Sequence, residues 1–291
     1  MNTLDKNNMV NIINDEILQY LQKYCGKEMY EPIQYSIKAG GKRFRPMIML
    51  LMCEALCGTY KEAIPFAVAI ECIHTYSLIH DDLPSMDNDE LRRGLPTCHI
   101  QFDEATAILA GDGLLNLAFE IMLDKLEKDF EKKYLKAINC IAIASGTKGM
   151  IKGQALDIKA EGKKINEKEL FDIYENKTGK LILASIKCGA IIGGANDEQI
   201  KIIENMAYKL GIAFQIQDDI LDIEGDQDKI GKPINSDLKN DKSTYISIFG
   251  LEKAKKDYNI LSSQVLEDLE KLNLKDKYIY SYIEKLINRK N

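Results

Sequence analysis

The stretch EQIKIIENMAYKLGIAFQIQDDILD, residues 198–222, decides the fold. Its apolar residues Ile202, Met206, Leu210, Phe214, Ile216, Ile220 and Leu221 recur at helical spacing and spread around the whole circumference. A helix apolar on nearly every side is buried in a large core, so other helices must surround it. The same stretch ends on Asp218, Asp219 and Asp222, and the carboxylates four apart share one face. A second acidic cluster stands far upstream in IHDDLPSMD, residues 79–87, with Asp81, Asp82 and Asp87. Carboxylates about 5 Å apart repel by roughly 3 kcal/mol at an effective dielectric of 20. Beside a buried face, that cost calls for a compensating cation or proton. Oxygen-only clusters suit hard cations, and Mg²⁺ binds through one or two carboxylates together with water and substrate phosphates. Metal-bridged diphosphate is the chemistry these clusters point to.

Outward from that stretch, apolar residues keep helical spacing almost throughout. The pattern predicts helices near 5–23, 28–38, 44–58, 62–82, 102–126, 133–160, 166–175, 178–194, 198–222, 243–249, 251–271 and 275–288. Pro84 should end the helix over 62–82, because its ring cannot accept the preceding helical turn. Asp81 and Asp82 then close a helix, and Asp87 follows on a loop. Residues 225–240 carry glycine, Pro233 and many charges and read as an ordered loop or lid. With no repeat, low-complexity tract or flexible linker, the pattern predicts an all-α protein built as a single large helical domain, central helices surrounded by others.

Composition narrows the function. A formal charge of −6 argues against a general nucleic-acid binder, which would show a basic face. The longest apolar runs, Pro46–Cys53 and Ala63–Ile70, fall short of the roughly 20 residues a membrane span needs. The N-terminus lacks a basic region followed by an apolar core, so no secretory signal is read there. Seven cysteines form no CxxC pair and read as buried reduced thiols, which implies a reducing, cytoplasmic compartment. His80 and His99 read as structural.

Basic groups complete the picture. Gly40-Gly41-Lys42-Arg43-Phe44-Arg45-Pro46 precedes an apolar helix, Arg92-Arg93-Gly94 follows the first acidic cluster, and Lys177-Thr178-Gly179-Lys180 opens another helix. Arginine forks match phosphate geometry and lysine acts as a point charge. Any one of these groups alone reads as a solvated surface cluster. Gly40–Lys42 is no Walker A motif, lacking both the spacing and a preceding strand.

These motifs, in this order, resemble the short-chain trans-polyprenyl diphosphate synthases, the family of the bacterial farnesyl diphosphate synthases. The carriers are GGKRFRP (40–46), ECIHTYSLIHDDLPSMDNDELRRGLPTCH (71–99), GQALDI (153–158), KTGKL (177–181) and GIAFQIQDDILDIEGD (211–226). The resemblance spans nearly the whole chain and implies one polyprenyl synthase domain over 1–291, of isoprenoid synthase type. It implies that Asp81, Asp87 and Asp218 bind a cluster of about three Mg²⁺ ions, with Asp82 and Asp222 accepting hydrogen bonds from metal-bound water. Arg92, Lys177 and Lys232 would contact an allylic diphosphate. Lys42, Arg45, His74 and Arg93 would hold the diphosphate of isopentenyl diphosphate without metal. The Lys177 carbonyl, the Thr178 hydroxyl and the Gln215 amide would lie near the allylic cation, and Gly179 makes a distorted helix plausible there. The family is dimeric, so a homodimer is implied.

Tyr76 stands five residues before Asp81, about 7.5 Å along a helix axis. In the family the chain resembles, an aromatic here together with the two-residue insert between Asp82 and Asp87 goes with a fifteen-carbon product, so the resemblance implies farnesyl diphosphate, Ser77 contributing less. Geranylgeranyl or geranyl diphosphate remain alternatives. A terpene cyclase fits less well, since it has no need of the second cationic site, and a non-catalytic regulatory subunit would have lost an aspartate cluster.

Overall fold

Apolar periodicity becomes helix after helix. The computed structural model describes residues 6–224 and 243–288. In chain order the elements are α1 (Lys6–Tyr24), α2 (Lys27–Lys38), α3 (Phe44–Cys57) and, after one 3₁₀ turn, α4 (Ile64–Asp81). A minimal hairpin, β1 (Leu91–Arg92) and β2 (Leu95–Pro96), leads to α5 (Cys98–Gln101), α6 (Glu104–Lys128), α7 (Lys132–Ser145) and α8 (Met150–Ala160). Then come α9 (Glu167–Ile173), a π-helical turn (Tyr174–Gly179), α10 (Lys180–Ile192) and α11 (Asp197–Glu224). After residues 225–242, α12 (Tyr245–Phe249), α13 (Leu251–Lys271) and α14 (Tyr278–Ile287) complete the described fold. The expected 225–240 loop and Lys232 lie outside the described residues.

The helix α4 is buried on more sides than α11. From Pro65 to Ile73 every residue of α4 is buried, Glu71 included. On α11, Met206, Leu210 and Ile216 are buried, whereas Ile202, Phe214, Ile220 and Leu221 are half-buried and Asp218 is exposed. The difference is functional in origin, because a helix that lines a cleft cannot be covered on that side.

Three local departures from the periodicity matter. The helix expected over 133–160 breaks at 146–149, where the backbone leaves helical geometry at Gly146 and Gly149. The helices expected over 166–175 and 178–194 instead run into one another through the π turn. The hairpin has no alternating apolar signal, being two residues per strand; Arg93 (φ 56°) and Gly94 (φ 78°) both adopt left-handed geometry, as a primed two-residue turn requires.

Two helical segments, Lys61–Asp81 and Glu104–Lys128, are long and apolar enough to cross a membrane by length and composition. Uninterrupted apolar runs undercounted them, because isolated polar residues divide stretches whose average is apolar. The first is 67% buried inside the fold, which makes it a core helix, but the second is only 44% buried. On α6, Ile108, Leu109 and Leu123 are exposed, as are Leu135 and Ile143 on α7. The cysteines are all free; Cys53, Cys72, Cys98 and Cys188 are buried as expected, but Cys57 is exposed.

An aromatic stack joins the cleft-forming helices. Phe44 at the start of α3 stacks on Phe214 of α11 (centroids 5.6 Å) and on Tyr282 of α14 (6.5 Å). Gln217 donates to the Ile287 carbonyl at 3.2 Å, tying α11 to the end of α14. Through these contacts the N-terminal end of α3 meets the acidic end of α11.

Candidate active site

The first acidic cluster is shaped by the end of α4. The helix stops at Asp81, as Pro84 dictates, and the chain doubles back so that the Asp87 amide donates to the Asp81 carbonyl at 2.9 Å. Burial pushes the Asp81 carboxyl up to about 6, Lys177 opposing and the charges of Asp87 and Asp82 adding to it. Asp81 is therefore a crowded carboxylate that a cation would relieve. Asp82 is buried and turned the other way. Arg92 forks onto it, Nε donating at 2.8 Å to each oxygen and Nη2 at 2.5 Å to Oδ1. The hairpin's tight turn is what brings Arg92 back ten residues to this partner. Both Asp82 oxygens are already engaged, so its first duty is to aim Arg92.

The basic loop divides its labour in the same way. Arg43 adopts left-handed geometry (φ 46°) and is 4% exposed, a strained and desolvated position for a charged residue. Its surroundings over-determine it. Arg43 pairs with Glu71 at 2.8 Å and donates to Asn14, to the Gly40 carbonyl and to the Ile37 carbonyl. That anchor turns the chain so that Arg45, two residues on, points toward α4. The Arg45 Nη1 lies 3.3 Å from His74 Nε2. Burial, with Arg45 and Arg93 nearby, holds the His74 imidazole well below its usual range, so it is neutral and can accept from Arg45. Burial also lowers Arg45, while Glu71 and Asp218 offset this, which places Asp218 of α11 within its electrostatic reach. Arg93 donates to the Gly40 carbonyl, and Lys42 is exposed on the same loop. Lys42, Arg45, His74 and Arg93 thus gather around one loop.

Lys177 and Thr178 sit on the π turn, opposite Asp81. Packing forces the turn. A Cβ on Gly153 of α8 would fall 2.0 Å from the Lys177 nitrogen, and one on Gly211 of α11 would fall 2.9 Å from the Gly179 Cα. Only glycines let α8 and α11 press on the turn from two directions, and a π turn leaves carbonyls free of the regular helical ladder. The Lys177 ammonium pairs with Asp157 of α8 at 2.5 Å. Asp157 lies in the GQALDI motif, which carried the family resemblance but no assigned role; nothing in its spacing marks it as the partner of a lysine twenty residues away. Thr178, Gln215 and Asp222 are half-buried on the facing elements. Asp219 is buried and accepts from the Tyr174 hydroxyl at 2.5 Å and the Tyr245 amide at 2.7 Å.

Tyr76 lies on α4 within reach of the Asp81 charge, 6% exposed, its ring edge-on to His80 at 5.8 Å. Ser77 donates to the His74 carbonyl at 2.9 Å. His80 is half-buried at the α4–α6 seam rather than in the core, with Nε2 3.0 Å from the Ile108 carbonyl. His99 is buried against the Thr97 hydroxyl at 3.1 Å, a structural role.

Among the described residues, the buried side-chain polar atoms without a partner are Arg45 Nε, Tyr76 OH, both amide atoms of Gln154, and Ser262 Oγ. All but the last belong to α3, α4 and α8, the elements that carry Arg45, Asp81 and Asp157. An unmade buried hydrogen bond costs about 1–3 kcal/mol. No three His, Cys, Asp or Glu side chains converge on one point among the described residues. The carboxylates instead sit on two separate elements, Asp81 at the end of α4 and Asp218 on α11, which fits Mg²⁺ held by few protein oxygens plus water and phosphate.

Cations at the basic loop, at Arg92 and at Lys177, with aspartates near the C-terminal ends of α4 and α11 in an all-helical frame, fit an enzyme of the isoprenoid synthase fold. The comparisons with known proteins agree. A family model described as polyprenyl synthetase matches residues 26–283, and the chain belongs to that family. It is 46% identical over 279 residues to the farnesyl diphosphate synthase of Micrococcus luteus, covering 94% of each chain. The geranylgeranyl diphosphate synthase of Cyanophora paradoxa is 39% identical, with 96% of this chain and 94% of that one covered. Among solved structures, a geranyltransferase from Helicobacter pylori in complex with magnesium and isoprenyl diphosphate superposes with a TM-score of 0.80 at 33% identity, covering 99% and 97% of the two chains.

Proposed function

We propose that this chain is a Mg²⁺-dependent prenyltransferase that adds isopentenyl diphosphate to dimethylallyl and then geranyl diphosphate, giving farnesyl diphosphate and pyrophosphate. The observation that carries the reading is the set of cations beside the first aspartate cluster: Arg45 against His74 and Arg93 against the Gly40 carbonyl at the basic loop, Arg92 forked onto Asp82, and Lys177 and Arg92 both acting on Asp81.

Lys42, Arg45, His74 and Arg93 bind the diphosphate of isopentenyl diphosphate, whose C–O bond stays intact. Arg92, Lys177 and Lys232 bind the allylic diphosphate, whose C–O bond breaks. Asp81, Asp87 and Asp218 hold the Mg²⁺, and Asp222 lies beside them. Bound Mg²⁺, about three ions in all, supplies neutralisation of the charge that grows on the leaving pyrophosphate. The Lys177 carbonyl, Thr178 hydroxyl and Gln215 amide turn dipoles toward the allylic cation without offering a nucleophile that would trap it. The double bond of isopentenyl diphosphate attacks, a C–C bond forms, and the proton lost from the adduct passes to pyrophosphate. Tyr76, with Ser77 beside it, is the floor that limits the growing tail. A geranylgeranyl product is the second reading, and the higher identity to a farnesyl synthase together with an aromatic floor favours fifteen carbons.

The exposed apolar face of α6 and α7 suits a second copy of the chain, hence a homodimer working in the cytoplasm with residues 1–291 as one domain. Purified protein with Mg²⁺, dimethylallyl and isopentenyl diphosphates should release pyrophosphate and yield a fifteen-carbon alcohol after dephosphorylation. A twenty-carbon alcohol would select the second reading, and no chain extension would reject both.

A further inference from the structure

A polar triangle lies where three cleft-forming elements meet. Leu170, Ile173, Ile212, Ile216 and Ala254 form an apolar shell around it, apart from the main core. Inside, the Tyr174 hydroxyl donates to Asp219 Oδ2 at 2.5 Å, the Tyr245 amide reaches the same oxygen at 2.7 Å, and that amide stands 3.0 Å from the Tyr174 oxygen. Asp219 is 7% exposed, Tyr174 6% and Tyr245 3%. A carboxylate so placed is tolerated only when donors replace its lost water. Tyr174 is the first residue of the π turn, Asp219 follows Asp218 on α11, and Tyr245 opens α12.

We propose that Tyr174, gripped by Asp219 and the Tyr245 amide, is a positioning residue that sets the phase of the π turn and so aims Lys177 and Thr178 at the cleft. Adjacent residues on a helix point about 100° apart, so Asp218 faces the cleft while Asp219 faces this shell. Asp219 is therefore a structural acceptor and no metal ligand. Without the hydroxyl, the turn keeps its glycine contacts at Gly153 and Gly211 but loses the bond from Tyr174 to Asp219 of α11. The proposal rests on the reading of Lys177 and Asp218 as substrate-side groups.

Two conservative variants test it. Tyr174→Phe removes one oxygen; Asp219→Asn keeps an acceptor oxygen but removes the charge. Tyr174→Phe should lower kcat about tenfold, the worth of one lost hydrogen bond, with KM for isopentenyl diphosphate unchanged within about twofold. Asp219→Asn should bind Mg²⁺–pyrophosphate by calorimetry as wild type does, whereas Asp218→Asn should not. Wild-type kcat and KM in Tyr174→Phe, or loss of Mg²⁺–pyrophosphate binding in Asp219→Asn matching that in Asp218→Asn, overturns the assignment. Should Tyr174→Phe fail to fold, the calorimetry of Asp219→Asn decides alone. A wild-type protein that bound no Mg²⁺–pyrophosphate would instead reject the proposed function itself.

Discussion

The two aspartate clusters look alike in the sequence and are built differently. Asp81-Asp82 closes a helix, and a tight loop returns Asp87 to it; Asp218-Asp219 lies inside the continuous helix α11. In both, one of the adjacent pair is turned into the protein. Asp82 takes the fork of Arg92, and Asp219 takes a phenol and an amide. The partners differ because the settings differ. Asp82 sits where a hairpin can bring a cation, while Asp219 sits in an apolar shell where neutral donors cost less to bury. Consecutive residues on a helix point about 100° apart, so each pair turns one carboxylate into the frame and leaves the other less covered. The Gly40–Arg45 loop repeats the division, with Arg43 locked onto Glu71 and Arg45 turned to His74.

The largest expected effect comes from the outward-facing aspartates. Asp81→Asn or Asp218→Asn should cut turnover by roughly 10³-fold, since cation-held charge is lost where the leaving group forms. Asp82→Asn, which only loosens Arg92, should lose less. Equal losses at Asp81 and Asp82 in steady-state assays would erase the distinction between cleft and frame. Stability should move in the opposite sense. The Asp81 carboxyl titrates near 6 when folded and near 3.9 when unfolded, so its ionisation opposes folding above pH 6. Without divalent cation, Asp81→Asn should therefore melt higher than wild type at pH 7, and the gain should vanish below about pH 4.

Next in size is the basic loop. Arg43→Met or Glu71→Gln strands a buried partner and should cost about 3–5 kcal/mol in urea unfolding. Arg45→Ala should leave stability nearly intact yet raise KM for isopentenyl diphosphate about tenfold or more, with little change for the allylic substrate. If Arg45→Ala shifted both KM values equally, the two cationic clusters would be one site.

The smallest expected effect on turnover is at Tyr76, where the product rather than the rate should change. Tyr76→Ala should open the floor and move the main product from fifteen to twenty carbons or longer, read by chromatography of the dephosphorylated alcohols. A stable variant with an unchanged product would make Tyr76 a packing residue only.

Helical spacing, the two aspartate clusters and the three groups of cations were all legible in the sequence, because they depend on residue type and on periods of three to four residues. The class of chemistry followed from them, since oxygen-only clusters beside cations suit little besides metal-bridged phosphate. The tertiary structure alone decided which member of each adjacent pair is buried and bonded into the frame. That choice turns on distant partners, Arg92 for Asp82, Tyr174 for Asp219 and Glu71 for Arg43. It alone revealed Asp157 as the partner of Lys177, and the π turn that Gly153 and Gly211 allow. Local spacing carries no record of such contacts, because they form only when helices far apart in the chain pack together.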